Sequence, residues 1–237
     1  MKIIIAPSKT QDFTHITSHN LSEPIFKDKA DNLVKEIKKL TKEEMAKKFK
    51  VKGKLLEQTY ESYHNYEQAE AGAAILSYIG EVFKQLDIDC YTKEDFVFLQ
   101  QHLFILSALY GALRPSDRIK PYRLDMKINI LNDESLYSYW QDDVTRIFEG
   151  EELIVNLASN EFSKIVKKPM TTIVFKEKSS DGKYKTIGTY AKKARGRMLD
   201  YIIKNRVEDI PSLKEFNVDG YVLNEGLSKK DTLVFTR

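Results

Sequence analysis

The chain has 237 residues, 42% hydrophobic and 31% charged, with a formal net charge of +3. That balance is ordinary for a soluble globular protein with a sizeable core, and the small net charge makes local clustering more informative than bulk charge. The single cysteine, Cys90, excludes an internal disulfide and gives no sign of a secreted scaffold.

The apolar, β-branched run at residues 2–6 suits a buried strand stopped by Pro7. It is too short for a signal peptide or a membrane span, so a cytoplasmic location is expected. Pro7-Ser8-Lys9-Thr10 follows at the strand's carboxyl end, where open α/β sheets bind ligands. Ser8 and Lys9 are therefore the candidate catalytic or phosphate-binding pair. No Gly-x-x-x-x-Gly precedes the lysine, so this is not a P-loop, and spacing alone favours a solvated loop. His15 and His19 have a metal-binding spacing on a helix, but Thr14, Ile16 and Thr17 disfavour one and no third ligand is evident. Neither a metal nor a cofactor is expected.

Residues 30–40 carry a helical stripe of Leu33, Val34, Ile37 and Leu40. Thr41-Lys42-Glu43-Glu44 is a capping box opening a short helix through Phe49. Val51-Lys52-Gly53-Lys54-Leu55 then leads into another helix bearing Leu56, Thr59, Tyr60 and Tyr63. Hydrophobic-x-Gly-x-hydrophobic between two short helices matches a helix-hairpin-helix. Gly53 permits the turn, and the free N–H groups of the second helix can cradle a phosphate. Lys47, Lys48, Lys50, Lys52 and Lys54 surround it. An ordinary αα-corner with a solvated lysine face explains the pattern equally well.

A helix is expected over 69–86. Another begins at Thr92 and runs along Phe96, Leu99, Leu103, Leu106 and Tyr110, with Gly111 as its C-cap. Arg114, Arg118, Lys120, Arg123 and Lys127 then face only Asp117 and Asp125 in a proline-stiffened connection. Such a loop can hold an anion bidentately, or Arg114 and Arg123 can pair with those aspartates. A helix over 136–148 precedes a strand at 153–157. Ser159 and Glu161 at that strand's end could be catalytic, but Ser159 or Asn160 can cap the next helix, which accounts for Ser159 without catalysis. Residues 170–176 and 183–190 form a hairpin, and 218–224 and 232–235 give the last strands. With no linker or repeat, 1–237 reads as one compact domain of mixed α/β class.

The most basic stretch lies between Thr189 and Met198, with four cations from Lys192 to Arg197 and no acid. On a helical wheel, at about 100° per residue, Ala191, Ala194, Met198, Tyr201 and Ile202 share one face, which should be buried. Lys193, Arg197 and Lys204 fall opposite with Asp200, which can pair with Arg197 or Lys204. Lys192, Arg195 and Arg206 form a separate flank without an acid, the best candidates for ligand contact. Gly196 lowers helix stability by about 1 kcal/mol relative to alanine, so a close approach of ligand or backbone is expected there.

Ala6-Pro7-Ser8-Lys9-Thr10, Gln100-Gln101-His102-Leu103, Leu109-Tyr110-Gly111-Ala112-Leu113-Arg114-Pro115, Pro121-Tyr122-Arg123-Leu124-Asp125-Met126, Asn156-Leu157-Ala158-Ser159 and Tyr190-Ala191-Lys192-Lys193-Ala194-Arg195-Gly196 together resemble the bacterial YaaA peroxide-stress family, in order over nearly the whole chain. The resemblance implies a cantaloupe-type fold, a mixed sheet wrapped by helices. It also implies cytosolic DNA binding through a basic cleft and a helix-hairpin-helix, and a role in hydrogen peroxide resistance linked with DNA repair and with limiting intracellular iron. It transfers no catalytic residues.

The leading expectation is a non-enzymatic DNA-binding protein, monomeric, with cooperative binding on DNA left open. It would take duplex or structured DNA with low sequence specificity, through phosphate contacts from Lys50, Lys52, Gly53, Lys54, Arg114, Arg123, Lys192, Lys193, Arg195, Arg197 and Arg206. One alternative is a glycosylase or lyase using Lys9 as nucleophile, with Ser8, Tyr110 or Asp125 assisting. The other is a small-molecule or phosphate-ester enzyme built on Ser8, Lys9, Arg114 and Arg123.

Overall fold

Ile3, Ile4 and Ile5 are fully buried, so the strand that carries them is covered on both faces. Burying each such side chain is worth about 1.5–3 kcal/mol. A computed structural model describes residues 1–14 and 21–237; the His15 and His19 pair lies outside the described residues. In chain order the elements are β1 (Lys2–Ile5), α1 (Lys27–Lys38), α2 (Lys42–Phe49), α3 (Lys54–His64), β2 (Gly72–Ala73), α4 (Ala74–Ser77), α5 (Lys93–His102), β3 (Leu103–Ser107), β4 (Gly111–Leu113) and β5 (Arg118–Ile119). There follow α6 (Leu136–Ile147), β6 (Ile154–Asn156), α7 (Asn160–Ser163), β7 (Thr171–Lys178), β8 (Tyr184–Lys185), α8 (Gly188–Asn205), α9 (Ile210–Lys214), β9 (Val222–Leu223) and β10 (Thr232–Thr236).

Among the described residues the main sheet has eight strands in the order β4-β3-β1-β6-β7-β10-β9, with β8 added to β7. The five from β3 to β10 run parallel, and β4, β8 and β9 pair antiparallel. This is the expected mixed α/β sheet flanked by helices. The chain leaves β1 to place β3 on one side, then returns to place β6 on the other. Such a reversal of strand order opens a crevice at the carboxyl ends of the strands. Among the described residues no helix is long and apolar enough to cross a membrane.

Two helix expectations are corrected. The stretch 69–86 is not one helix: it holds β2, the single turn α4 and a tight turn at Phe83–Gln85. Gln11 bridges Tyr78, and Ile79 N donates to Thr10 O at 3.1 Å, so residues 78–79 run extended beside the loop after β1. The helix from Thr92 keeps its capping box with Asp95 but ends at His102. Leu103 to Ser107 is instead a fully buried strand paired to β1. A short continuous apolar run serves a buried strand as well as a helix, and pairing with β1 decides it. Gly111 keeps its positive φ of 72°, but as the first residue of β4, packed under the Trp140 ring.

The hairpin is present with a shorter second arm, since α8 already begins at Gly188. Thr41 and Glu44 form the expected capping box, and Gly53 turns the chain between α2 and α3 at φ 56°. The result is two helices joined by a tight turn, which by itself does not make it a helix-hairpin-helix.

Candidate functional site

The crevice at the sheet's carboxyl edge is a cavity of about 530 Å³. Residues 6–11 after β1 form one wall, residues 157–162 after β6 another, and residues 79–84 a third. Tyr122, Leu124 and Asp125 contribute from the connection after β5, and α8 contributes Lys192 and Arg195. Two glycines allow this assembly. A Cβ on Gly80 would overlap the Ser8 side chain, and one on Gly196 would overlap Val82 O and Gln85. The third wall is thus clamped between the β1 loop and α8. The close approach expected of Gly196 is to this packed segment.

Within the cavity, Lys9 Nζ donates to Asp125 Oδ2 at 2.6 Å. Ser8 Oγ accepts from Thr10 N at 3.0 Å. Ser159 occupies the N-cap position of α7, yet its side chain makes no capping hydrogen bond, so capping does not account for it. Beneath the cavity, Tyr122 OH meets Tyr78 OH at 2.7 Å and Ser107 Oγ at 2.8 Å. Burial pushes the Tyr122 phenol up to about 12.

Arg195 and Arg197 both leave a buried Nε without a hydrogen bond, but Arg197 lies 3.5 Å from Asp219 whereas Arg195 faces no such acid among the described residues. The Arg195 side chain is half-buried and makes no hydrogen bond or ion pair among the described residues. Burial lowers its pKa from the ordinary guanidinium value. A guanidinium does not give up its proton in a protein, so the cavity holds a partly desolvated positive charge with no ion-pair partner among the described residues. Lys192, one helical turn away on the same face, is exposed and also unpaired among the described residues.

The chain matches the family model described as peroxide stress protein YaaA over residues 1–227. It belongs to the YaaA family. It is 40% identical to a UPF0246 protein of Fusobacterium nucleatum, covering 100% of this chain and 99% of that protein. It is 38% identical to a UPF0246 protein of Francisella philomiragia and 37% identical to one of Crocosphaera subtropica, with full coverage of both partners in each case.

In this YaaA-family chain the expected site residues divide into three groups. Ser8, Lys9, Lys192 and Arg195 meet at the cavity. Lys50, Lys52, Gly53 and Lys54 are exposed at the α2–α3 turn, and the three lysines have no ion pair or hydrogen bond from their side chains among the described residues. Lys193 is likewise exposed and unpaired. The turn is tethered near the cavity: Lys48 Nζ donates to Asn129 O at 2.9 Å, four residues along from Asp125. An extended chain of that length spans at most about 14 Å.

The third group is held elsewhere. Arg114 is bound to the fully buried Asp117, its Nε donating to Oδ1 at 3.1 Å and its backbone N to Oδ2 at 2.8 Å. Burial still raises the Asp117 pKa against the pull of Ser22 and Arg114. Arg123 lines no part of the cavity, so Ser8, Lys9, Arg114 and Arg123 are not one cluster. Tyr110 OH is buried against Tyr66 OH at 2.7 Å and cannot assist Lys9. The flank containing Arg206 is not free of acids, because Asp95 on α5 binds its guanidinium at 3.0 Å. Arg197 approaches Asp219 at 3.5 Å rather than Asp200, which pairs with Lys204 at 3.2 Å.

The sequence reading missed the third wall, Gly80 to Lys84. The signal was there: Gly72 and Gly80 interrupt the helical pattern it was assigned. Glu161, a strand-end group that the sequence already offered as a catalytic candidate, lines the wall after β6 and has no ion pair or hydrogen bond among the described residues.

Proposed function

We propose that this chain is a DNA-binding protein of the peroxide stress response, acting in the cytoplasm as a monomer and holding duplex or structured DNA by its phosphates. The family description supports the stress role. The observation that carries DNA binding is two local groups of cations without partners among the described residues: Lys50, Lys52 and Lys54 at the turn, and Lys192, Lys193 and Arg195 on α8. Elsewhere many lysines and arginines are neutralised, as Lys29 is by Asp143 and Arg206 by Asp95. A surface that leaves neighbouring cations unmatched favours a polyanion, and lysine-dominated contacts fix the backbone without reading bases.

The test is a mobility-shift titration on duplex, single-stranded and junction DNA at about 50 and 200 mM salt, where a few phosphate contacts change affinity by orders of magnitude. Wild type is compared with a Lys50→Ala/Lys52→Ala/Lys54→Ala variant. Steep salt dependence, with weaker binding by the variant, is expected. No binding at low salt refutes the reading.

The cavity's place at the sheet's switch point favours a second reading, an enzyme acting on nucleic acid or a phosphate ester. Lys9 is engaged there as the cationic half of an ion pair with Asp125, not presented as a free amine. Borohydride trapping on a panel of damaged duplexes separates the two: a covalent adduct lost in Lys9→Arg would establish lyase chemistry.

A further inference from the structure

We propose that the cavity between the β1 and β6 loops binds a single nucleoside monophosphate unit, with its phosphate on Arg195 and Lys192. Three features point to this chemistry. The first is the unbalanced charge. Arg195 offers a planar fork of donors, Lys192 a point charge, and the two project from the same face of α8. A phosphate monoester is dianionic near neutral pH, so it matches both cations and takes charge-assisted hydrogen bonds from the guanidinium.

The second feature is the far side of the cavity. Ser159 and Glu161 carry side chains with no hydrogen bond or ion pair among the described residues. A carboxylate and a hydroxyl at a strand end accept hydrogen bonds from sugar hydroxyls or a base amino group. A carboxylate there also disfavours a ligand that is anionic throughout. The third is shape. Val82, Phe83, Leu124 and Phe162 give apolar walls wide enough for a base, and about 530 Å³ lies within the usual range for small-molecule sites. The position agrees, since nucleotides bind open parallel sheets at the point where strand order reverses.

The unit has two sources: a free mononucleotide, whose monoester phosphate carries both charges, or a nucleotide turned out of a DNA strand, whose two flanking phosphodiesters carry one charge each and together match the two cations. The second source rests on the DNA-binding reading; the first does not. An everted nucleotide would place the flanking phosphates at the rim, beside the exposed Lys192 and Lys193.

Backbone amide spectra of the isotope-labelled wild-type chain, titrated with deoxyadenosine monophosphate, test the site without relying on any variant. Shifts at Ser8, Lys9, Ser159, Glu161 and Arg195 are expected, with deoxyadenosine binding about tenfold or more weakly because the charge-assisted contacts are lost. Calorimetry on Arg195→Ala should show about a ten- to hundredfold loss, with partial recovery in Arg195→Lys. A second arm uses a duplex with one bulged fluorescent adenine analogue. Emission should rise when wild type binds and stay low with Arg195→Ala at saturating protein. Cavity shifts with the mononucleotide and no change in the bulge arm assign the free source. A mononucleotide that shifts no cavity amide, together with bulge emission insensitive to Arg195, overturns the site. Salt-steep duplex binding would survive that result, and mononucleotide binding would survive a failure to bind DNA, so the two readings fail separately.

Discussion

Arg195 and Asp200 stand five residues apart on α8 and show opposite treatments of a buried charge. Asp200 is satisfied: it accepts from Asp87 N at 3.0 Å and Tyr91 OH at 2.7 Å, and pairs with Lys204. Removing it leaves buried donors unmet, so Asp200→Ala should destabilise the fold by about 2–4 kcal/mol in urea unfolding. A loss below about 0.5 kcal/mol would show that the network contributes little. Arg195 has no such network. Replacing an unpaired buried charge with an apolar chain of similar length removes a desolvation penalty. Arg195→Met should therefore be neutral or stabilising by up to about 1 kcal/mol while losing mononucleotide affinity, the usual signature of a functional group held at a cost to stability. A destabilised Arg195→Met would mean that the guanidinium serves the fold.

At the level of elements, α8 and the segment after Gly80 act as one clamp. Alanine is the better helix former by about 1 kcal/mol, so helix propensity alone predicts that Gly196→Ala stabilises. Packing predicts the reverse, because the added carbon meets the Val82 carbonyl and Gln85. We expect packing to win. Thermal unfolding should show a net loss, and the cavity amides should shift even without ligand. The same region shows what the sequence made legible. The face of α8 that buries Ala191, Ala194, Met198 and Ile202 followed from helical spacing, as did both capping boxes. The strand β3 did not, because its five buried residues look the same whether they cover a helix or fill a parallel strand; only pairing with β1 distinguishes them. The partners of Arg114 and Arg206 divide in the same way. Asp117 lies three residues from Arg114 and was a visible alternative, whereas Asp95 reaches Arg206 across 111 positions and could not be seen.

Across the whole molecule, tyrosines set the alkaline limit. Burial raises the phenols of Tyr63, Tyr66, Tyr78, Tyr110 and Tyr122 above their ordinary value of 10.0. The folded state keeps these protons after the unfolded chain has begun to release them. Their stabilisation is therefore complete below about pH 10 and falls as pH rises, through about pH 12 for Tyr122. Unfolding free energy should decline above about pH 10 by up to about 1.4 kcal/mol per pH unit for each phenol still protonated only in the folded state. Tyr78→Phe should make the decline shallower. A flat profile would contradict the buried hydroxyl cluster.

The net charge of +3 hides the arrangement that matters, unmatched cations on α8 and at the α2–α3 turn. Whether they meet DNA phosphates is measured most directly by the slope of log affinity against log salt on one duplex, by fluorescence anisotropy. Each lost phosphate contact lowers that slope by about 0.9, so Lys192→Ala/Lys193→Ala and Lys52→Ala/Lys54→Ala should each reduce it by about 1.8. Slopes equal to wild type in both variants would contradict the account.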